Sequence, residues 1–148
     1  MKQFRIAAIV TLAFLSLGAI AGSIPLMLDP TGRTMRMPLS FLRYSPFQSF
    51  LIPGIILFVA NGLLGLIVLW MVLRHMPHYG LWTALQGCVL MGWLAVECWM
   101  LRLVAWPHYF YGALALVLIV TGLAMRHEPI SGSWIKTRQA GPRLWQGS

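Results

Sequence analysis

Four long apolar stretches limit what this chain can fold into more than any other feature of its sequence. They run over residues 6–28, 50–73, 81–103 and 106–125. A helix of about 20 residues crosses the ~30 Å hydrocarbon layer of a bilayer. Backbone groups cannot stay unpaired in lipid, and stretches this long lack the short alternating pattern of barrel strands. The sequence therefore predicts an all-α integral membrane protein, a bundle of four antiparallel transmembrane helices.

The composition agrees with lipid as the solvent of this chain. Hydrophobic residues make up 59% of it, charged residues only 9%, and the mean hydropathy is +0.76. Soluble domains carry roughly 25% charged residues. The acidic residues are Asp29, Glu97 and Glu128. Because no Ser-His-acid pattern, phosphate loop or paired acidic site appears, catalysis is disfavoured and no cofactor is predicted.

The first apolar stretch has a rival interpretation as a cleaved signal peptide. Lys2 and Arg5 precede it, and Ala19-Ile20-Ala21-Gly22 resembles a cleavage site. The stretch continues to Leu28, which is too long for an ordinary signal peptide. We therefore predict an uncleaved anchor that Pro25 bends or ends.

The distribution of basic residues predicts the orientation, because cytoplasmic loops are enriched in Lys and Arg. With the N-terminus inside, the cytoplasmic side holds Lys2, Arg5, Arg74, Arg126, Lys136, Arg138 and Arg143, and the outer side holds Arg33, Arg36, Arg43 and Arg102. Both termini are accordingly predicted to be cytoplasmic.

The segments outside the apolar stretches are a longer loop and a basic tail. The loop covers residues 29–49 on the predicted outer side, and a short interfacial helix is expected over residues 38–42. The tail covers residues 128–148. It is expected to contact anionic lipid headgroups, together with the preceding arginine, through Arg126, Lys136, Arg138, Arg143, Trp134 and Trp145. Nucleic acid is an unlikely partner, since the basic residues form no stripe or motif.

Several short motifs resemble a family of small four-helix bacterial inner-membrane proteins. They are Asp29-Pro30-x-Gly32, Met37-Pro38-Leu39, Ser45-Pro46-Phe47, and Phe50-Leu51-Ile52-Pro53-Gly54. The resemblance spans about residues 25–115. It implies the same topology and a bacterial inner membrane, and it supplies no mechanism.

A candidate polar site lies within the apolar stretches, where ionisable residues are costly and often functional. Glu97 leads this set, and Gln86 shares one face of the third helix with it. Asn61 in the second helix is a candidate third member, although helix packing is the favoured explanation for it. Glu97 is either a structural group, protonated or paired, or a ligand or proton site. Its candidate partners on the outer side are Arg102, His108, Arg33, Arg36 and Arg43.

Three hypotheses about function follow. The first is a non-catalytic accessory or scaffold subunit that packs against other membrane subunits. The second is a small oligomeric transporter, or a protein that binds lipid or a small molecule, using Glu97. The third is an oxidoreductase component that holds haem or quinone at His108. No metal site is predicted, because the histidines lack metal-motif neighbours, and Cys88 and Cys98 are about 15 Å apart along one helix.

Overall fold

The computed structural model describes residues 2–127. All regular secondary structure in that range is helical, and it contains no β-strand. The long helices are α1 (Lys2–Leu28), α2 (Leu51–Leu73), α3 (Tyr79–Leu101) and α4 (Trp106–Met125). A short 3₁₀ helix, Leu39–Leu42, lies in the loop between α1 and α2. Each long helix is long and apolar enough to cross a membrane. The prediction of an all-helical chain with four such helices is confirmed.

The observed helix ends differ from the predicted ones where polar or left-handed residues decide them. α1 begins at Lys2 rather than at residue 6, and the Arg5 guanidinium in its first turns donates to the backbone oxygens of Val72 and Leu73 at 3.3 Å. α3 lies two residues earlier than predicted, between His78 and Arg102, which both have left-handed backbone conformations. α4 has the predicted bounds.

The four long helices form a square in which each helix packs against two neighbours. α1 contacts α2 and α4, and α3 contacts the same two helices from the other side. Leu12, Leu15, Val68, Leu90 and Leu118 fill the centre and are almost completely buried. Because consecutive helices run in opposite directions, the residue 29–50 loop and the α3–α4 connection share one end of the bundle, which we call the loop end.

Glycines allow close contact between helices at two opposite interfaces of the square. A Cβ added to Gly87 of α3 would lie 2.7 Å from the Ala115 backbone oxygen of α4, and one added to Gly62 of α2 would lie 2.9 Å from Ile20 of α1. Small residues of this kind allow the close van der Waals contact that drives helix association in lipid.

The outward faces of the helices are apolar. Phe14 and Leu17 on α1, Ile67 on α2, Trp99 on α3 and Val120 on α4 are each more than half exposed. Only 28% to 39% of the most apolar window of each helix is buried within the protein. Contiguous apolar surface of this kind is typical of helices that face lipid or other apolar partners.

The connecting loop folds over the loop end of the bundle. Leu42 of the 3₁₀ helix packs with Leu26, Phe50 and Met100 in a small buried cluster. The Asp29 carboxylate, just after α1, accepts hydrogen bonds from the backbone N–H and the hydroxyl groups of two threonines in the same loop. These bonds hold the pKa of Asp29 well below its ordinary value. α1 itself continues for one turn past Pro25 before it ends.

Candidate functional site

A cavity of about 150 Å³ lies between the four helices and has both an apolar and a polar wall. The apolar wall consists of leucines, one from α1, one from α2 and two from α3: Leu15, Leu57, Leu90 and Leu94. Trp93 and Glu97 of α3 and Tyr111 of α4 supply aromatic and polar groups. The cavity is comparable in volume to an engineered cavity in another protein that admits benzene.

The cavity exists because α1 presents small residues toward the centre of the bundle. Beyond Leu15, the α1 residues that line it are Gly18, Ala19 and Gly22, so this part of α1 carries almost no side-chain volume. A Cβ added to Gly22 would meet no atom within 4 Å, whereas one added to Gly18 would lie 3.3 Å from the Tyr111 hydroxyl. Larger residues at position 22 would therefore enter the cavity without first striking a neighbouring helix.

Glu97 supplies the carboxyl group of this cavity, and it lies one turn before the end of α3. The midpoint of α3 is Leu90, so Glu97 is about 10 Å from the helix midpoint rather than the ~7 Å expected from the predicted bounds. Its side chain is 33% exposed. The carboxylate thus reaches both the cavity and the surface near the loop end.

His108, in the first turn of α4, is the nearest ionisable neighbour of Glu97. Its Nε2 atom lies 3.9 Å from Glu97 Oε2, which is too long for a hydrogen bond. The shorter of two contacts between Nδ1 and Ala105 is with the backbone N–H, which donates to Nδ1 at 3.0 Å. In the neutral ring the proton is therefore assigned to Nε2, on the side of Glu97. That buried nitrogen has no hydrogen-bond partner among residues 2–127.

The arginines proposed as partners of Glu97 lie elsewhere. The Arg102 and Arg43 guanidinium groups stack over the ring of Tyr44, at 5.3 and 6.0 Å from its centroid. Arg33 and Arg36 line a shallow depression on the loop surface. Within the described part of the chain, no arginine comes within 4 Å of the Glu97 carboxylate, and His108 alone among the predicted partners does.

Gln86 and Asn61 form a second polar cluster in the buried interior. Both side chains are completely buried, and Gln86 Nε2 lies 3.4 Å from Asn61 Oδ1. Gln86 Nε2 also donates to the Ala60 backbone oxygen at 3.1 Å. The predicted polar face of α3 therefore divides into two sites, with Gln86 on the cluster and Glu97 on the cavity.

A π-helical turn in α2, Phe58–Leu63, makes this second cluster possible. The Leu64 N–H bonds to the oxygen of Val59, five residues back, so it does not occupy the Ala60 oxygen that Gln86 uses. Asn61 Nδ2, Gln86 Oε1 and the Ser16 hydroxyl of α1 are buried without a partner in residues 2–127. The cluster lies about one helical turn below the cavity, since Leu57 precedes Asn61 by four residues and Leu90 follows Gln86 by four.

The sequence did not predict that small residues of α1 and Tyr111 of α4 would line a cavity. Gly18-x-x-x-Gly22 is visible in the sequence, but this part of the stretch was interpreted as resembling a signal-peptide cleavage site. Tyr111 carries no sequence signal of a role in the cavity, because its position opposite Gly18 depends on how α1 and α4 pack. The π-helical turn left no recognisable signal apart from the polar Asn61 within it.

The headgroup contacts predicted for the tail fall mostly outside the structure. Lys136, Arg138, Arg143, Trp134 and Trp145 lie outside the described residues. Arg126, at the end of α4, donates from Nε to His127 Nε2 at 3.0 Å. Residues 2–127 contain no group of three His, Cys, Asp or Glu side chains placed to hold a metal ion.

Comparison of the chain with protein-family models, with curated proteins and with solved structures found no match. The resemblance to small four-helix bacterial membrane proteins therefore stays a prediction.

Proposed function

We propose that this chain is a multi-pass membrane protein that binds a small molecule in the cavity, with Glu97 as its polar anchor. The observation that carries the proposal is a carboxylate that opens into an apolar space between all four helices. Ionisable residues inside a membrane are costly and usually mark a ligand, ion or proton site. A small carrier or receptor fits this arrangement.

The cavity itself supports a binding role over a purely structural one. A bundle selected only for packing leaves few spaces of this size, because unfilled volume removes van der Waals contacts from the residues that line it. A protein whose only task is packing gains nothing from that loss. The wall of Gly18, Ala19 and Gly22 keeps the space open, and a bound molecule would restore the missing contacts.

Extraction of the purified protein tests this proposal. Small molecules released by solvent from the wild type are compared with those from Gly22→Leu, Glu97→Gln and Gly92→Leu. Gly92 is the matched control, because it is exposed, lies outside the cavity lining, and would also accept a Cβ with no atom within 4 Å. We expect a compound in the wild type and Gly92→Leu that is depleted in the other two variants. The same compounds in all four samples would refute the proposal.

An accessory-subunit role is the second candidate, and the exposed face of α3 favours it. Cys88 and Gly92 lie one turn apart on this face, between the exposed side chains of Leu85 and Val96. Small residues in such a position let a second helix approach closely in a membrane. The mass of the complex purified in mild detergent tests the idea, since an accessory subunit brings distinct membrane proteins with it and a self-sufficient binder is released alone or as a homo-oligomer.

We also propose a location in the cell for this protein, and a residue that would hold a cofactor if one binds. A bacterial inner membrane with both termini in the cytoplasm is supported by the charge distribution. Haem or quinone association would use His108, whose Nδ1 accepts the Ala105 N–H and whose Nε2 is directed toward Glu97. An absorbance spectrum of the purified protein tests haem directly, because ligated haem produces a Soret band.

A further inference from the structure

The electrostatics of the cavity indicate which charge its ligand carries. Among the described lining residues, Glu97 supplies the only carboxyl group, and Tyr111 adds a phenol hydroxyl. His108 approaches only to 3.9 Å, and no arginine of residues 2–127 is within 4 Å of the carboxylate. A carboxylate withdrawn from water is stabilised by an opposite charge at close range. A positively charged ligand supplies that charge, whereas an anion would add repulsion.

The rest of the lining indicates how the ligand is built around its charge. Trp93 and Tyr111, on neighbouring helices, place aromatic rings at the same cavity as the carboxylate. Aromatic rings attract cations, most strongly where water is excluded, and recognise alkylated ammonium groups in particular. The leucine wall offers dispersion contacts to alkyl carbons and no hydrogen-bonding side chain. A bare metal ion would find few oxygen ligands here.

These observations converge on one class of ligand. We infer that the cavity binds a small alkylated ammonium ion, with its charge on Glu97 and its alkyl groups between Trp93, Tyr111 and the leucines. A volume of about 150 Å³ limits the bound part to roughly the size of benzene. This inference rests on the proposed function, and it adds the charge and the chemical class of the ligand.

Tetramethylammonium is a suitable probe because it is small, stays cationic at every pH and donates no hydrogen bond. tert-Butanol has similar size and shape without the charge. Each is titrated into the purified full-length protein in a non-ionic detergent, with sodium chloride as the ionic-strength control, and the thermal midpoint is measured. Binding to the folded state raises the midpoint with concentration. We expect a saturable rise with tetramethylammonium alone.

Four single substitutions test whether tetramethylammonium binds in the cavity. Glu97→Gln should weaken tetramethylammonium binding by about 30-fold or more, as truncation of one partner of a buried charge pair does. Trp93→Leu retains the carboxylate and should weaken it roughly 2- to 30-fold through loss of the cation–π contact. Gly22→Leu should abolish binding by filling the cavity, and Gly92→Leu should leave it unchanged. Trp93→Leu keeps the inference testable if Glu97→Gln fails to fold.

Failure of this inference is distinguishable from failure of the proposed function. Equal binding of tert-butanol and tetramethylammonium, both lost in Gly22→Leu, would overturn the cation class and leave the binding cavity in place. Tetramethylammonium binding that survives in Gly22→Leu would place the ion elsewhere and overturn the inference. Absence of tetramethylammonium binding, with extracted compounds still depleted in Gly22→Leu, would also overturn the cation class alone.

Discussion

At the scale of single residues, two polar pairs show different uses of buried hydrogen-bonding groups. Gln86 Nε2 donates to Asn61 Oδ1 and to the Ala60 backbone oxygen in a completely buried site, where Asn61 Nδ2 and Gln86 Oε1 have no partner among residues 2–127. Glu97 and His108 approach without a hydrogen bond, at the edge of an open cavity. The first arrangement joins α2 to α3, and the second leaves polar groups free to meet a ligand.

His108 has two separable roles, and two substitutions at this position distinguish them. His108→Ala removes the bond from the Ala105 N–H, and loss of such a helix-start contact costs about 0.3–1.5 kcal/mol. His108→Gln should retain that bond, because glutamine at this helix position reaches back to the same N–H. Chemical denaturation in detergent should therefore show a lower midpoint for the alanine variant only. Equal destabilisation of both would assign the stability to the Glu97 contact instead.

The Gln86–Asn61 pair should show measurable coupling in a double-mutant cycle. Gln86→Leu leaves Asn61 Oδ1 and the Ala60 oxygen without their donor, and Asn61→Leu removes one acceptor of Gln86. Interhelical hydrogen bonds in membranes couple by about 0.6 kcal/mol on average, with a maximum of about 1.7. The double variant should be more stable than the sum of the single effects by about this amount, measured as free energy of unfolding. Simple additivity would show that the pair contributes no coupling.

At the scale of helices, the α3–α4 hairpin is the tightest contact in the bundle. A Cβ added to Gly122 of α4 would collide with the Ala84 backbone nitrogen of α3 and would lie 2.6 Å from the Gly80 oxygen. Two helix backbones therefore touch without intervening side chains. This contact lies at the end of the bundle opposite the cavity.

Gly122→Ala should destabilise the protein by about 1–3 kcal/mol, because the two backbones must separate to admit the methyl group. Gly112→Ala on the same helix is the control, since a Cβ there meets no atom within 4 Å, and its effect should stay within about 0.5 kcal/mol. Thermal or denaturant unfolding in the same detergent gives both values. Similar losses for the two glycines would point to a general effect of glycine replacement rather than to the backbone contact.

At the scale of the whole molecule, the four helices and the folded loop give the bundle two dissimilar ends. The loop end carries the 3₁₀ helix, the Asp29 turn and the cavity with Glu97. The opposite end carries the α2–α3 turn and Arg5 on the last carbonyls of α2. The orientation of the protein in a membrane decides which side supplies the ligand.

Cysteine labelling should place the loop end outside the cytoplasm. In a background without Cys88 and Cys98, a cysteine at Met35 should react with an impermeant reagent added to intact cells, and one at Pro77 should react only after permeabilisation. Both positions are exposed and lie in connections, whereas Tyr79 is buried and unsuitable. The excess of basic residues on the opposite side is the physical reason. If the cysteine at position 77 reacted in intact cells, the predicted orientation would be wrong.

Truncation after His127 should leave the helical bundle folded. The buried core of residues 2–127 includes Met125 at the end of α4, and the deletion removes none of it. The basic residues removed are Lys136, Arg138 and Arg143. Each basic residue near an anionic surface contributes about 1 kcal/mol, so stabilisation by added anionic lipid should weaken, most clearly at low salt. Degradation or failed insertion of the truncated protein would show that the tail is required for folding.

The sequence by itself determined the helical architecture, because length and hydropathy suffice for segments surrounded by lipid. Every long helix was found near its predicted position, and α4 has the predicted bounds. The isolated acid Glu97 was recognisable for the same reason, since an ionisable residue stands out in an apolar stretch. The short helical turn at Leu39–Leu42 followed from the prolines and leucines around it.

Only the tertiary structure decided which groups meet. Five side chains were possible partners of Glu97, and the rotation of α4 brings His108 to it while Tyr44 holds Arg102 and Arg43 away. The cavity depends on which side of α1 faces the centre, and apolar helices surrounded by lipid carry little periodicity to reveal that side. The hydrogen bond from Gln86 to the Ala60 oxygen of the π-helical turn likewise depends on two helices meeting. Contacts between helices arise from packing and backbone approach, and no local stretch of sequence encodes them alone.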